Sequence, residues 1–195
     1  MTYRNFTFVG WSWSAVFAGV IASLVFQVLL VMIGLGLGLL SVDVPSAESA
    51  PKAVSWAVFA WWAVSGVMSA FVGGWIAANF SDTFTAEARA THGLMAWALA
   101  TLIVVGSAAF ASTGSFASNL MGPAAATMAQ YNRLSGPPPT TTGQARPTQA
   151  QLEQARRAVA LAMIGSFVAL LVGAGAAIAG SQWLPEMRPR DVRMP

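Results

Sequence analysis

This chain has no cysteine, a single histidine and very little charge. Each shortage removes a class of chemistry. Without cysteine there is no disulfide, no zinc–thiolate site, no iron–sulfur cluster and no thiol nucleophile. The one histidine, His92, cannot supply both axial ligands of a b-type haem. Two copies could share such a group across a dimer axis, but interface anchoring or helix capping is the ordinary role for a histidine so placed. With no thiol beside it, no nucleophile–base pair can be assembled. The nine methionines form no periodic stripe suited to Cu(I) and lack histidine support. No catalytic residue, cofactor or metal is therefore expected, and the chain does not read as an enzyme.

Charged residues make up 9% of the chain, against about 25% in a soluble domain. Ten basic and seven acidic residues leave a net charge of +3. No dense Lys/Arg face is present, so nucleic acid is not expected as a partner. The few charges flank apolar segments, where they set membrane topology. Hydrophobic residues reach 56%, and the mean hydropathy is +0.62.

What is abundant is uncharged sequence. Asp, Glu, Lys and Arg are absent from Trp11 to Leu40, Ala53 to Ser81, Gly93 to Asn132 and Ala158 to Pro185. About 20 apolar residues suffice to cross a bilayer as a helix. Hydrocarbon offers no partner to a bare peptide group, so a spanning chain must be helical or a closed barrel. The expected fold is all-α, an integral membrane four-helix bundle in one domain. Helices are predicted at 12–40, 54–79, 92–112 and 148–181, with a long loop at 113–147. The first run exceeds the roughly 7–15 apolar residues of a signal peptide and reads as a retained membrane helix.

Local signals refine the connections. Thr148 follows Pro147 and precedes Gln151 by three residues, a capping-box pattern for the last helix. The segment 149–157 (QAQLEQARR) is a polar lead-in, with Glu153 four residues before Arg157 in the favourable order. The long loop holds Pro137, Pro138 and Pro139 ahead of three threonines and Gly143, a stiff stretch followed by flexible chain. Its Ala- and Met-rich first part, 117–134, is compatible with a short surface helix.

Raw counts of basic residues tie across the two membrane faces. The compact basic tail LPEMRPRDVRMP after Trp183 leads us to place both termini in the cytoplasm. Trp11, Trp13, Trp75 and Trp183 mark the level of the terminal-bearing interface, because an indole is apolar in its ring and wet at its N–H. His92 begins the third predicted helix at the same level.

Burying leucine does not drive helix association in lipid, whereas close approach of small residues does. Such residues recur every four positions, which places each row on one helix face. The rows are Ala15, Gly19 and Ser23; Ser65, Ser69, Gly73 and Ala77, with Gly74 adjacent; and Gly165, Ala169, Gly173, Ala177 and Ser181. Two readings stand: packing within one bundle, preferred for any single row, and a seam for self-association. Gly34, Gly36 and Gly38 spread glycine around the first helix, either loosening its last turn or admitting a neighbouring backbone. Gln27, at depth in the first helix, is either interhelical glue, the preferred reading, or a pore contact. No ionisable residue lies at bilayer depth to serve a proton relay or a voltage sensor. SWSAVFA (12–18) and SWAVFA (55–60) hint at duplication but are equally explained by shared composition.

The segments WSAVFAGVIAS and LLVMIGLGLGLLSVD of the first helix, FVGGWIAANFSD at the end of the second and HGLMAWALATL in the third resemble a family of small bacterial inner-membrane proteins. Its members are sometimes labelled PhnA-like. The resemblance covers roughly Trp11 to Gly106. It implies a bacterial inner membrane but no activity, since none is established for the family. No residue here supports the phosphonate chemistry that the label suggests. The resemblance marks Gly73, Gly74, Trp75, His92, Gly93 and Trp97 as motif positions. The expected function is a structural or accessory membrane protein that associates with itself or with other membrane subunits. The alternative is an oligomeric channel or carrier for a small uncharged solute.

Overall fold

A computed structural model gives the fold and describes residues 12–41, 51–81, 85–110, 127 and 148–183. Trp11, the tail after Trp183 and, apart from Thr127, the expected long loop lie outside the described residues. The described residues form four helices and no strand: α1 (Trp13–Ser41), α2 (Pro51–Asn79), α3 (Ala86–Phe110) and α4 (Gln149–Gln182). All four are long and apolar enough to cross a membrane. The chain is an all-α, multi-pass membrane protein.

The helix ends follow local chemistry. At α1, Ser12 precedes the first turn, its Oγ accepting from Ala15 N–H at 3.4 Å. α2 starts at Pro51 rather than Val54; a missing N–H costs nothing in a first turn, where that donor would be unpaired anyway. It ends where Ser81 folds back, Oγ donating to Ala78 O at 2.8 Å. α3 starts at Ala86, earlier than the expected His92. The expectation begins the helix where charge ends, but Glu87 and Arg89 belong to a first turn that precedes the uncharged run. Thr85 caps it, Oγ1 accepting from Ala88 N–H at 3.3 Å. At α4 the capping box forms: Thr148 N–H donates to Gln151 Oε1 at 2.8 Å, and Gln151 N–H to Thr148 Oγ1 at 3.3 Å.

The chain divides into two compact units, residues 1–29, 66–102 and 172–195 in the first and 30–65 and 103–171 in the second. In the first, Val16, Val20, Ala77 and Ala96 form the core, with Leu24, Leu99 and Ala100 packed against it. Apart from His92, the rest of its interior is Ala, Gly and Ser, including Ala15, Ala70, Ala177, Ser23, Ser69 and Ser181. Large apolar side chains face outward: Phe17, Ile21 and Val25 on α1 are each at least half exposed. A water-soluble bundle would do the reverse. This inversion is what hydrocarbon solvent permits, since a leucine gains nothing by leaving lipid while slender residues let backbones touch.

The backbones do touch. A Cβ on Gly19 would stand 2.5 Å from the Gly73 carbonyl oxygen, and one on Gly73 would stand 2.8 Å from Ser23 Cβ. Gly74 lies under the Ala177 carbonyl, and Gly180 under that of Phe71. A Cβ on Gly93 would meet Ala177 O and Ser181 Cβ, each at 2.9 Å. α1, α2, α3 and α4 are thereby keyed together within this unit.

In the second unit aromatic rings take the place of touching backbones. Trp61 lies over Gly34 and donates Nε1–H to Leu30 O at 3.1 Å. Phe59 lies on Gly165, where a Cβ would meet its Cζ at 2.6 Å. Phe59 also meets Trp56 and Trp62 at ring-centroid distances of 6.2 and 6.1 Å. At the polar start of α4, Glu153 accepts from Arg157 Nε at 3.0 Å and pairs with Arg156 Nη2 at 3.1 Å.

Two predictions follow from these contacts. Gly74→Ala should destabilise the fold by about 1–3 kcal/mol through overpacking against Ala177. Gly36→Ala, where a Cβ meets nothing within 4 Å, should be neutral or gain up to about 1 kcal/mol from helix propensity. Reversible unfolding in mixed micelles measures both. A third concerns Glu153, whose carboxylate is held below its ordinary value of 4.5 chiefly by the Arg157 hydrogen bond, with attraction from Arg156 adding to it. A lowered folded value means that the stabilisation is complete above 4.5 and is lost as the pH falls through the folded value. The protection of amides across 149–157, measured against their intrinsic exchange rates, should therefore fall on acidification below 4.5, and Glu153→Gln should remove that loss of protection.

Candidate functional site

The residues singled out from the sequence concentrate in the first unit. Gly19, Ser23, Ser69, Gly73, Gly74, Gly173 and Ala177 are all buried there. The rows of small residues on α1, α2 and α4 point toward one another in this unit, so their packing is internal to the chain. Gly165, in the second unit, receives the Phe59 ring. Of the two readings of Gly34, Gly36 and Gly38, neither fully describes the outcome. Gly34 admits a neighbour, but the neighbour is the Trp61 indole rather than a backbone, and Gly36 and Gly38 face open space.

Gln27 is tied across a helix pair: Ser69 Oγ donates to Gln27 Oε1 at 2.8 Å. In hydrocarbon an amide without a partner is costly, so this contact orients α1 against α2 at depth. Ser23 and, near the end of α4, Ser181 turn instead to their own helices. Ser23 donates to Val20 O at 2.8 Å, and Ser181 to Ile178 O at 2.6 Å. Such back-bonding satisfies a hydroxyl without a partner helix and leaves the small side chain free to pack.

His92 lies inside the first unit, 2% exposed, and not on an open interface. Ser12 N–H donates to its Nε2 at 3.4 Å, and its Nδ1 lies 2.8 Å from Ala88 O. This pairing requires the tautomer with its proton on Nδ1, donated to Ala88 O. The ring thus caps the start of α1 from α3, an arrangement that joins two elements 80 residues apart. Spacing could not show this, because the apolar run ends beside His92 whichever way its ring turns. Trp13, Trp75 and Trp183 are exposed. Trp183 meets Phe71 edge-on at 6.0 Å.

The motif positions marked by the resemblance also fall within this unit. Gly73, Gly74 and Gly93 are close-contact glycines, His92 caps α1, and a Cβ on Gly173 would stand 3.1 Å from Trp97 Nε1. Residues that sequence reasoning passed over are Gly180, Phe59 and Trp61. Gly180 had a signal, since it extends the glycine content of α4 beside Ser181. The ring-on-glycine contacts of Phe59 and Trp61 have none, because any aromatic can face any glycine in an apolar helix pair. Among the described residues no three of His, Cys, Asp and Glu come together as a metal site would need. Comparisons with protein-family models, with curated proteins and with solved structures give no match.

The Gln27–Ser69 pair should show a coupling of about 0.6 kcal/mol, and not above about 1.7 kcal/mol, in a double-mutant cycle of Gln27→Leu and Ser69→Ala. A coupling near zero in a bilayer or micelle unfolding measurement would mean that the two side chains do not act on one another.

Proposed function

We propose that this chain is a structural or accessory protein of a bacterial inner membrane, associating with itself or with other membrane subunits through small-residue helix faces. Both termini face the cytoplasm, on the strength of the basic tail. The bacterial inner membrane comes from the resemblance of residues 11–106 to the PhnA-like group. The observation that carries the reading is glycine without a covering neighbour. Gly36, Gly38 and Gly106 each have nothing within 4 Å of a built Cβ, on helices whose apolar spans hold no ionisable side chain. A bare glycine costs a membrane helix stability and offers another chain a close approach. The inward rows at Gly19, Gly73 and Gly173 are already filled by this chain's own helices, so the associating faces are these open ones.

The second reading, an oligomeric channel or carrier for a small uncharged solute, is favoured by the Ser166 hydroxyl, which is shielded and has no hydrogen-bond partner. An unpaired hydroxyl on a membrane helix is what a wetted path would satisfy.

Cross-linking in native membranes, followed by gentle detergent extraction, should yield a discrete higher-order species. Gly38→Leu or Gly106→Leu should cut its yield several-fold without loss of helicity. A strictly monomeric, partnerless protein rejects the accessory role. Uptake of a small polyol or water into proteoliposomes above the level of empty vesicles would favour the carrier instead.

A further inference from the structure

We infer that Arg89 holds the phosphate of a phospholipid headgroup at the terminal-bearing end of the first unit. Along α3, residues 89, 92, 93 and 96 fall on one face, given about 100° per residue. His92, Gly93 and Ala96 on that face are buried. Arg89 lies one turn further out on the same stripe, at the mouth of the packed interior. Its Nε is shielded from solvent and meets no acceptor. A buried donor left unpaired is costly, and a cationic one more so. The nearest acid on the helix, Glu87, sits two residues away and therefore on the opposite face, where it is exposed. Among the described residues the ion pairs are those of Glu153 with Arg156 and Arg157, in the second unit. Among the described residues the guanidinium thus has donors to give and no carboxylate paired with it.

The surroundings give the depth. Trp13 at the start of α1 and Trp75 near the end of α2 are exposed, as indoles at headgroup level are. Ser12, whose N–H reaches His92, lies at the same end. A guanidinium at that level meets a layer of phosphodiesters, whose oxygens match its planar donor set better than they match an ammonium. A lipid phosphate above His92 would pair Nε–H and cover the end of the interior with one molecule. The acyl chains would lie along the outward Phe17 and Ile21 faces, which are open to them.

Native mass spectrometry of the full chain in detergent, titrated with phosphatidylglycerol, tests this. The wild type should retain one tightly held lipid. Arg89→Gln should lower its retention at least tenfold, and Arg89→Lys should lower it less, while Glu87→Gln should leave it unchanged. Diacylglycerol, which lacks the phosphate, should not be retained, and millimolar inorganic phosphate should not displace the lipid. Equal retention by Arg89→Gln, equal retention of diacylglycerol, or a wild type that holds no phospholipid overturns the inference. Displacement by inorganic phosphate would make the site one for a free anion and overturn the lipid assignment. Circular dichroism of each variant checks folding. If Arg89→Gln does not fold, the wild-type, lysine and diacylglycerol measurements decide.

Discussion

The close approach of backbone to backbone at glycine is the contact on which the first unit depends. In hydrocarbon the four helices gain little by burying leucine, and away from the helix ends every peptide group is already paired within its own helix. What remains to hold them together is dispersion between surfaces near enough to touch. Gly19 against Gly73, Gly74 under Ala177 O and Gly180 under Phe71 O bring the helices that near. A methyl group at any of these places occupies space that another helix holds. The interior consequently contains little besides alanine, serine, glycine and valine, and apart from His92 its largest fully buried side chain is Val16.

His92 is affordable in such an interior because both of its ring nitrogens are engaged. An imidazole with one free nitrogen would leave a polar atom in an apolar setting. Here Ala88 O, a carbonyl of its own helix, takes one side and the Ser12 N–H, an unpaired donor at the start of α1, meets the other. The helix start needs an acceptor and the histidine needs a donor, so each removes the other's penalty. Gln27 and Ser69 do the same deeper in the unit. Both polar contacts join α1 to a neighbour, so the register of α1 is set at two heights while small residues fill the space between.

Much of this was legible in the sequence, and the reason is the solvent. Uncharged runs report hydrocarbon directly, so the four helices and the polar lead-in of α4 could be placed to within a few residues. The capping box at Thr148 and Gln151 could be read because its partners are three residues apart and need no tertiary context. α3 was misjudged at its start, because the end of the uncharged run marks where the membrane begins and not where hydrogen bonding begins. The rows of small residues were visible as faces. Which face meets which was not, since Gly73 could be read equally well against α1, another copy or nothing. That choice is made by the three-dimensional fit of Gly19, Ser23 and Ala77, and no spacing rule contains it.

The same fit changes what the small residues mean for function. A row already occupied by the chain's own helices cannot also serve as a seam for another protein without opening the unit. Gly19, Gly73, Gly74, Gly93 and Gly180 are occupied in this way, whereas Gly36, Gly38, Gly66, Gly106 and Gly175 are bare among the described residues. Glycine is a poor residue for a lipid-facing helix position, where alanine would serve the helix better and lose no contact. Its presence at an uncovered position is a cost that no contact among the described residues offsets. That open space is the observation behind the proposed association, in which a neighbour's backbone would come as close to Gly38 or Gly106 as Gly73 comes to Gly19. The internal contacts thus separate the glycines on which the described helices pack from those they leave open.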